Sequence, residues 1–382
     1  MNSKERLQAC LAHQPPDRIP FDLGGSPMSG IHITAYEKLI KYLGFDDLEA
    51  EVYDNIQQLA LPDEQVLKQF EVDVRSIRPT HPDSYNLDIQ KVGDNTEYTD
   101  EWGIRWRKPI VGGFYYDMAF HPLEFAQNLA EIEDYPWINP NDESRYTGLV
   151  ETAANYAEDG FGTIHWSIGP GVSETHAWLR GYNKYYTDFY LNPDIAEGIM
   201  SKVVDIKIAY WETALSLSEK FIDVVVEADD LAGQNGPLIS PKIYRNFIKP
   251  QHTRLFTAIK KIAPNVKIFF HSCGAVHDFI GDFIDSGIDI LNPVQKSATG
   301  MDLHQIKQEF GKDVVFWGGG VDTQRVFDGD DIGAVRADVR QNIAALKSGG
   351  GFVFTPVHNT QANVPPQNFM AMWETLREEG LY

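Results

Sequence analysis

The chain has 382 residues, of which 43% are hydrophobic, 12% aromatic and 23% charged, a profile that supplies a globular core and excludes disordered and fibrous classes. Its 55 acidic against 33 basic residues leave a formal charge of −22, a surface that repels phosphate backbones and anionic lipid headgroups, so neither nucleic acid nor a membrane is an expected partner. The two cysteines, Cys10 and Cys273, stand far apart, form no disulfide framework and fit a reducing, cytoplasmic location.

In chain order, residues 1–14 read as an amphipathic helix with charges inside it, not as the uninterrupted apolar core of a signal peptide. No apolar run reaches the roughly 18 to 20 residues that span a bilayer. Short β-branched and aromatic runs bounded by turn residues then predict strands at 18–23 (RIPFDL), 72–77 (VDVRSI), 163–168 (TIHWSI), 222–227 (IDVVVE), 266–271 (VKIFFH), 288–291 (IDIL), 314–317 (VVFW) and 352–357 (FVFTPV). From the third onward, most are followed by a polar or Gly-rich turn and a helical pattern, as at 193–220, 241–262, 276–286, 302–310 and 331–348. This alternation predicts an α/β fold with a parallel sheet, and eight such units close into a (β/α)8 TIM barrel, a single domain over 1–382. An open doubly wound sheet is the alternative, disfavoured because no GxGxxG follows the first strand. Residues 79–162 are too many for a simple crossover and read as an insertion over the barrel mouth, with a β-hairpin at 96–109 around Gly103.

In a barrel, reactive side chains are expected at the C-terminal ends of the strands. The run KIFFHSCG puts His271 and Cys273 two residues apart, hence on one face of an extended segment, and an imidazole with a thiolate favours zinc or another borderline-soft metal. A lone H-x-C also fits a core cysteine beside a hydrogen-bonded histidine. His358, at the end of FVFTPVH, supplies a third candidate ligand and would leave one coordination position open, as catalytic zinc does. In VVVEADDLAG, Glu227 finishes an apolar run and Asp229 and Asp230 follow, a carboxylate cluster that could ligate a metal, orient a histidine or exchange protons; the helix N-cap role is the alternative for the aspartates.

Four further positions are candidates for cofactor contact. Gly24 and Gly25 follow the first strand beside Asp22 and His32, and permit either close approach of a bulky group or a tight turn. Asn292 ends the IDIL strand before Pro293, and Gly319 lies in the Gly318–Gly320 run after VVFW, where turn roles are again the alternative. Trp102, Trp106, Phe114, Tyr115, Tyr116, Trp166 and Trp178 cluster in and around the insertion; most are expected in the core, and any that line the mouth would suit a flat substrate.

Taken together, PDRIP (16–20), GPGVSETHAWLRG (169–181), DDLAGQNGPLISP (229–241), HSCGAVHDFI (271–280), WGGGVDT (317–323) and TPVHNTQANVPPQNFMAM (355–372) resemble the uroporphyrinogen decarboxylase superfamily over nearly the whole chain. The resemblance implies a (β/α)8 barrel and one of two branches: cofactor-free decarboxylases of the tetrapyrrole pathway, or zinc methyltransferases that work with corrinoid proteins in anaerobes. The decarboxylase branch carries an arginine-rich segment after the first strand, where residues 22–28 here read DLGGSPM, without an arginine. The methyltransferase branch is marked by H-x-C and a later cysteine; His271 and Cys273 match the first part, and His358 stands where the second cysteine is expected. The resemblance thus implies the component of an anaerobic O-demethylase that moves a methyl group from a small methylated substrate, an ether and in one form an aromatic one, to a corrinoid (methylcobalamin) on a partner protein. Zinc would be held by His271, Cys273, His358 and Glu227, with Glu227 and Asp229 in catalytic roles. A methylcobalamin:thiol methyltransferase of the coenzyme M type and a uroporphyrinogen decarboxylase-like carboxy-lyase are the alternatives.

Overall fold

The computed structural model describes residues 1–382. Seven parallel strands form one sheet in which neighbours in space are neighbours in sequence: β1 (Val74–Ile77), β2 (Gly162–Trp166), β3 (Val224–Ala228), β4 (Lys267–His271), β5 (Ile290–Asn292), β6 (Val315–Trp317) and β7 (Phe352–Val353). Their β-branched and aromatic residues are buried along the whole run, as in the VVVEA and KIFFH segments, because helices cover the sheet from outside and strand side chains fill it from within.

The eighth place belongs to the predicted 18–23 strand, which is present as a short bridging segment. Phe354 N–H donates to Pro20 O (2.8 Å), Asp22 N–H to Phe354 O (2.9 Å) and Asp73 N–H to Phe21 O (2.9 Å), so this segment lies between β7 and β1 and closes the (β/α)8 barrel. Pro20 has no N–H to donate, which limits the ladder here to single bridges. Side chains reinforce the seam at the N-terminal end of the barrel. The fully buried Asp73 carboxylate accepts Arg6 Nη1 (2.6 Å), Arg18 Nη1 (2.6 Å) and the Phe21 N–H (2.8 Å), while Asp17 accepts Arg6 Nε at 2.6 Å.

The crossover helices start where the sequence provides starts. Pro193 and Pro366 occupy the first turns of Pro193–Ser218 and Pro366–Glu379, and Asp302 and Asp331 cap Leu303–Phe310 and Ile332–Leu346 by accepting the Gln305 and Ala334 N–H groups. No helix is long and apolar enough to cross a membrane. Between β1 and β2 lies a four-stranded antiparallel sheet of Gln90–Val92, Asn95–Thr99, Arg105–Pro109 and Asp117–Phe120. Its middle hairpin pairs Tyr98 with Trp106 and turns through Gly103 at φ +76°, with Asp100 accepting the Ile104 N–H (3.0 Å) and Trp106 Nε1 (2.8 Å). Arg180, buried at the end of the Val172–Arg180 helix, ties the segment to the barrel by donating to Leu123 O (2.5 Å) and Ala126 O (3.0 Å) while paired with Asp188 (2.7 Å).

Candidate metal centre and cavity

At the C-terminal ends of β3 and β4 the side chains of Asp230, His271 and Cys273 offer one oxygen, one nitrogen and one sulfur, all within 4.8 Å of one another. His271 Nε2 lies 3.5 Å from Asp230 Oδ1, and Cys273 Sγ 3.7 Å from Asp230 Oδ2. The mixed O/N/S chemistry suits zinc, whose tetrahedral edges of roughly 3.3 to 3.8 Å are matched by His271 and Cys273 each towards a different oxygen of Asp230.

Neighbouring groups prepare these donors. His271 Nδ1 donates to Asn292 Oδ1 at 2.5 Å, and Asn292 in turn donates from Nδ2 to Trp317 O at 2.6 Å, which fixes the amide orientation and turns Nε2 of His271 towards Asp230. The Cys273 N–H donates to Asp230 Oδ1 (3.0 Å). Burial, together with the charges of Asp230 and Glu174, pushes the Cys273 thiol above its ordinary range. Glu174, buried against Asp230 and Asp229, is likewise raised. Such crowding of acids around a thiol is relieved by a bound cation. His358 stands edge-to-face with His271, ring centroids 5.5 Å apart, and burial with the neighbouring imidazole lowers it to about 4, so its ring is a neutral donor at the same mouth.

A cavity of about 480 Å³ opens onto this centre. Asp230, His271, His358, Glu174 and Glu227 form one wall, and Trp102, Trp166, Trp178, Tyr53 and Tyr98 supply aromatic surface. Tyr85, Tyr98, Asp100, Glu101 and Trp102 come from the segment between β1 and β2, which therefore supplies part of the cavity lining. Of the aromatic residues singled out in the sequence, Trp102, Trp166 and Trp178 line this cavity; Trp106 and Tyr116 are core, and Phe114 is 52% exposed.

The geometry also places the other expected site residues. Glu227 borders the cavity but is not grouped with the donor triad: its oxygens accept Ser167 Oγ (2.7 Å), Trp211 Nε1 (2.7 Å) and Lys207 Nζ (2.8 Å), so its charge is already neutralised and its lone pairs engaged. Asp229 does not reach the cavity. It receives the Ser173 (2.8 Å) and Glu174 (2.6 Å) N–H groups at the start of the Val172–Arg180 helix and His252 Nε2 (2.7 Å), the contacts of a helix cap. Gly24, Gly25 and Gly319 do not line the cavity either: a Cβ at Gly25 would meet Asp22 Oδ1 at 2.5 Å, one at Gly24 would meet Pro62 at 2.9 Å, and one at Gly319 would meet Val294 O at 3.0 Å. These glycines allow close packing of the chain on itself. Asn292, expected at a cofactor, orients His271 instead. His32 is buried, its Nε2 3.2 Å from Phe114 O, and does not line the cavity. Glu174, Arg78 and Tyr53 line the cavity without having been singled out; Glu174 stands in the GPGVSE run and Arg78 directly follows β1, a strand-end position that signals the site.

A closed parallel barrel with an oxygen, nitrogen and sulfur donor set at its C-terminal mouth, beside an aromatic cavity, is the architecture of a barrel enzyme. Residues 174–379, more than half of the chain, match the family model of uroporphyrinogen decarboxylase (URO-D), and the chain belongs to that family. It is 27% identical over 170 residues to the uroporphyrinogen decarboxylase of Bacillus subtilis and 23% identical over 172 residues to that of Bacillus cereus. Those matches span 43% of this chain and 45% and 46% of the two relatives, less than half of their length. A methyltransferase from Methanosarcina mazei has the same fold, with a TM-score of 0.63 at 15% identity and 99% of both chains covered.

Proposed function

We propose that the protein is a zinc-dependent methyltransferase that takes a methyl group from an ether, aromatic in preference, and gives it to the cobalt of a corrinoid carried by a partner protein. The observation that carries this reading is the Asp230–His271–Cys273 donor set, of which Asp230 and His271 line an aromatic cavity. The full-length likeness in fold to a methyltransferase supports it, as does the absence of arginine from residues 22–28, where a polycarboxylate would need a clamp. The corrinoid, when bound with its partner, would supply the nucleophile that accepts the methyl group, and the ether oxygen would keep the electron pair of the broken carbon–oxygen bond and take a proton. Zinc, when bound, supplies a Lewis acid for the charge that develops on that oxygen.

The protein's own groups do the rest. Asp230, His271 and Cys273 hold the metal, with His358 beside them, and Asn292 keeps Nε2 of His271 aimed inward. Lys207 holds the Glu227 side chain in place in the cavity wall. Trp102, Trp166 and Trp178 orient a flat ring.

The test is elemental analysis of the purified protein combined with an anaerobic optical assay of cob(I)alamin conversion to methylcobalamin with methyl ethers. One zinc per chain and ether-dependent methylation are expected, both lost in Cys273→Ala; methylation by a zinc-free Cys273→Ala protein refutes the mechanism. Decarboxylation is the second reading, favoured by the curated relatives from Bacillus. Release of CO2 from a carboxylated tetrapyrrole without zinc would establish it in place of methyl transfer.

A further inference from the structure

Arg78 lines the cavity immediately after β1, yet it pairs with no carboxylate. Its guanidinium lies 4.4 Å from the centre of the Tyr53 ring and 5.4 Å from that of Trp166. With aromatic rings against its faces, a guanidinium has only its in-plane N–H groups left for polar partners. One of these, Nη2, reaches Gly24 O at 3.3 Å; Nε is buried and has no partner. The Tyr53 hydroxyl is also buried without a partner, and because burial raises its pKa it keeps its proton and can only gain by donating. The other arginine of the cavity, Arg145, is already paired with Glu101. Two unmet donors, one of them a permanent cation, therefore face one space in a chain whose net charge is −22. Leaving the buried Nε of a partly buried guanidinium without an acceptor costs stability, and such a cost is retained where a ligand relieves it.

We infer that Arg78 and Tyr53 form a carboxylate-binding site, so that the substrate is a flat aromatic acid which presents its carboxylate to β1 and its methyl ether to the donor triad at the ends of β3 and β4. This rests on the methyl-transfer reading for the ether end alone. A single cation with an adjacent phenol suits a planar monoanion better than a phosphate dianion. Between β1 and β4 lie three strand spacings of about 4.8 Å, an arc of roughly 14 Å, which Arg78 and the metal-site side chains shorten from both ends to the length of a ring with para substituents. Trp166 and Trp178 stand in that interval, and a cavity of about 480 Å³ accommodates one such molecule.

Calorimetric titration of the full chain with para-methoxybenzoate, para-hydroxybenzoate and methyl para-methoxybenzoate tests the site. Both acids are expected to bind roughly 10- to 100-fold more tightly than the neutral ester, the effect of one charge-assisted hydrogen bond or slightly more. Arg78→Met should abolish that preference and Tyr53→Phe should reduce it, while a cooperative thermal melt of each variant shows that the fold is kept. Equal binding of ester and acid by the wild type, or a preference for acids that survives in Arg78→Met, overturns the inference. The cobalamin assay separates the two proposals. Arg78-dependent binding of para-methoxybenzoate with no methyl reaching cobalt keeps the anion site and removes demethylation, whereas equally efficient methylation from anisole and from the acid removes the anion site and keeps demethylation.

Discussion

Asn292 offers the sharpest test of how the metal centre is prepared, because it touches no proposed ligand atom of zinc and yet controls one. It is 1% exposed, accepts from His271 Nδ1 at 2.5 Å and donates to Trp317 O at 2.6 Å. Replacing it with Leu keeps the volume and deletes both bonds, so the imidazole is free to rotate and to exchange tautomers. Loss of an outer partner of a metal-bound histidine lowers affinity by about 10- to 100-fold, which is about 1.4 to 2.8 kcal/mol. Asn292→Asp separates this from general damage. Its carboxylate still accepts from Nδ1 and keeps Nε2 aimed at the metal, but it cannot donate to Trp317 O, so it loses fold stability by about 1 to 3 kcal/mol while holding zinc. The assay is competition for zinc against a chromophoric chelator, read beside thermal melts of all three proteins. Zinc affinity is expected to fall in the Leu variant only, and stability in both. Wild-type zinc affinity in Asn292→Leu, or an equal loss in the two variants, refutes the orienting role.

Other consequences are equally direct. Lys207→Met strands the Glu227 carboxylate in a wall where neither side chain is more than 1% exposed, and should cost about 3 to 5 kcal/mol in chemical denaturation. Lys207→Met/Glu227→Leu should recover most of that loss, and a double variant no more stable than the single one would refute the pairing as its cause. Burial raises the Asp22 carboxyl from 3.8 to about 6 despite donors from Trp317 Nε1 (2.8 Å) and the Gly25 N–H (2.8 Å). The folded chain therefore holds a proton there that the unfolded chain has released, so this group's contribution to stability is complete below about pH 4 and disappears as pH rises through 6. Carbon-13 NMR of labelled aspartate should reveal one carboxyl, absent from Asp22→Asn, that titrates near 6; titration of that signal near 4 would contradict the burial argument.

Much of the barrel is legible from local chemistry, since VVVEA and KIFFH are runs that only a strand covered on both faces uses. The Gly103 hairpin is legible too, because a positive φ at that turn calls for glycine. The donor set is legible for His271 and Cys273, whose spacing alone puts them on one face. Choosing Asp230 over Glu227 is a different matter. Alternation within a strand says that Asp230 shares a face with Ala228 and that Glu227 does not, but only the register between strands says which face His271 joins. In the structure His271 pairs with Ala228 and Phe270 with Glu227, so Asp230 comes to the metal side and Glu227 turns to Lys207 and Trp211. A slip of one residue would reverse the assignment. Arg78 was equally hidden, since a strand-end arginine acquires meaning only when the surrounding acids prove to be engaged elsewhere.

The ionic clasp around Asp73 ties the first twenty residues to the end of the barrel farthest from the cavity. There every guanidinium has its acid, whereas across the molecule Arg78 has none. The two rims thus divide labour: one spends its charges on staying shut, the other keeps a charge in reserve for whatever enters. Weakening the clasp should loosen the seam long before it alters what the mouth prefers to hold, so robustness and selectivity can be tuned on opposite ends of one cylinder.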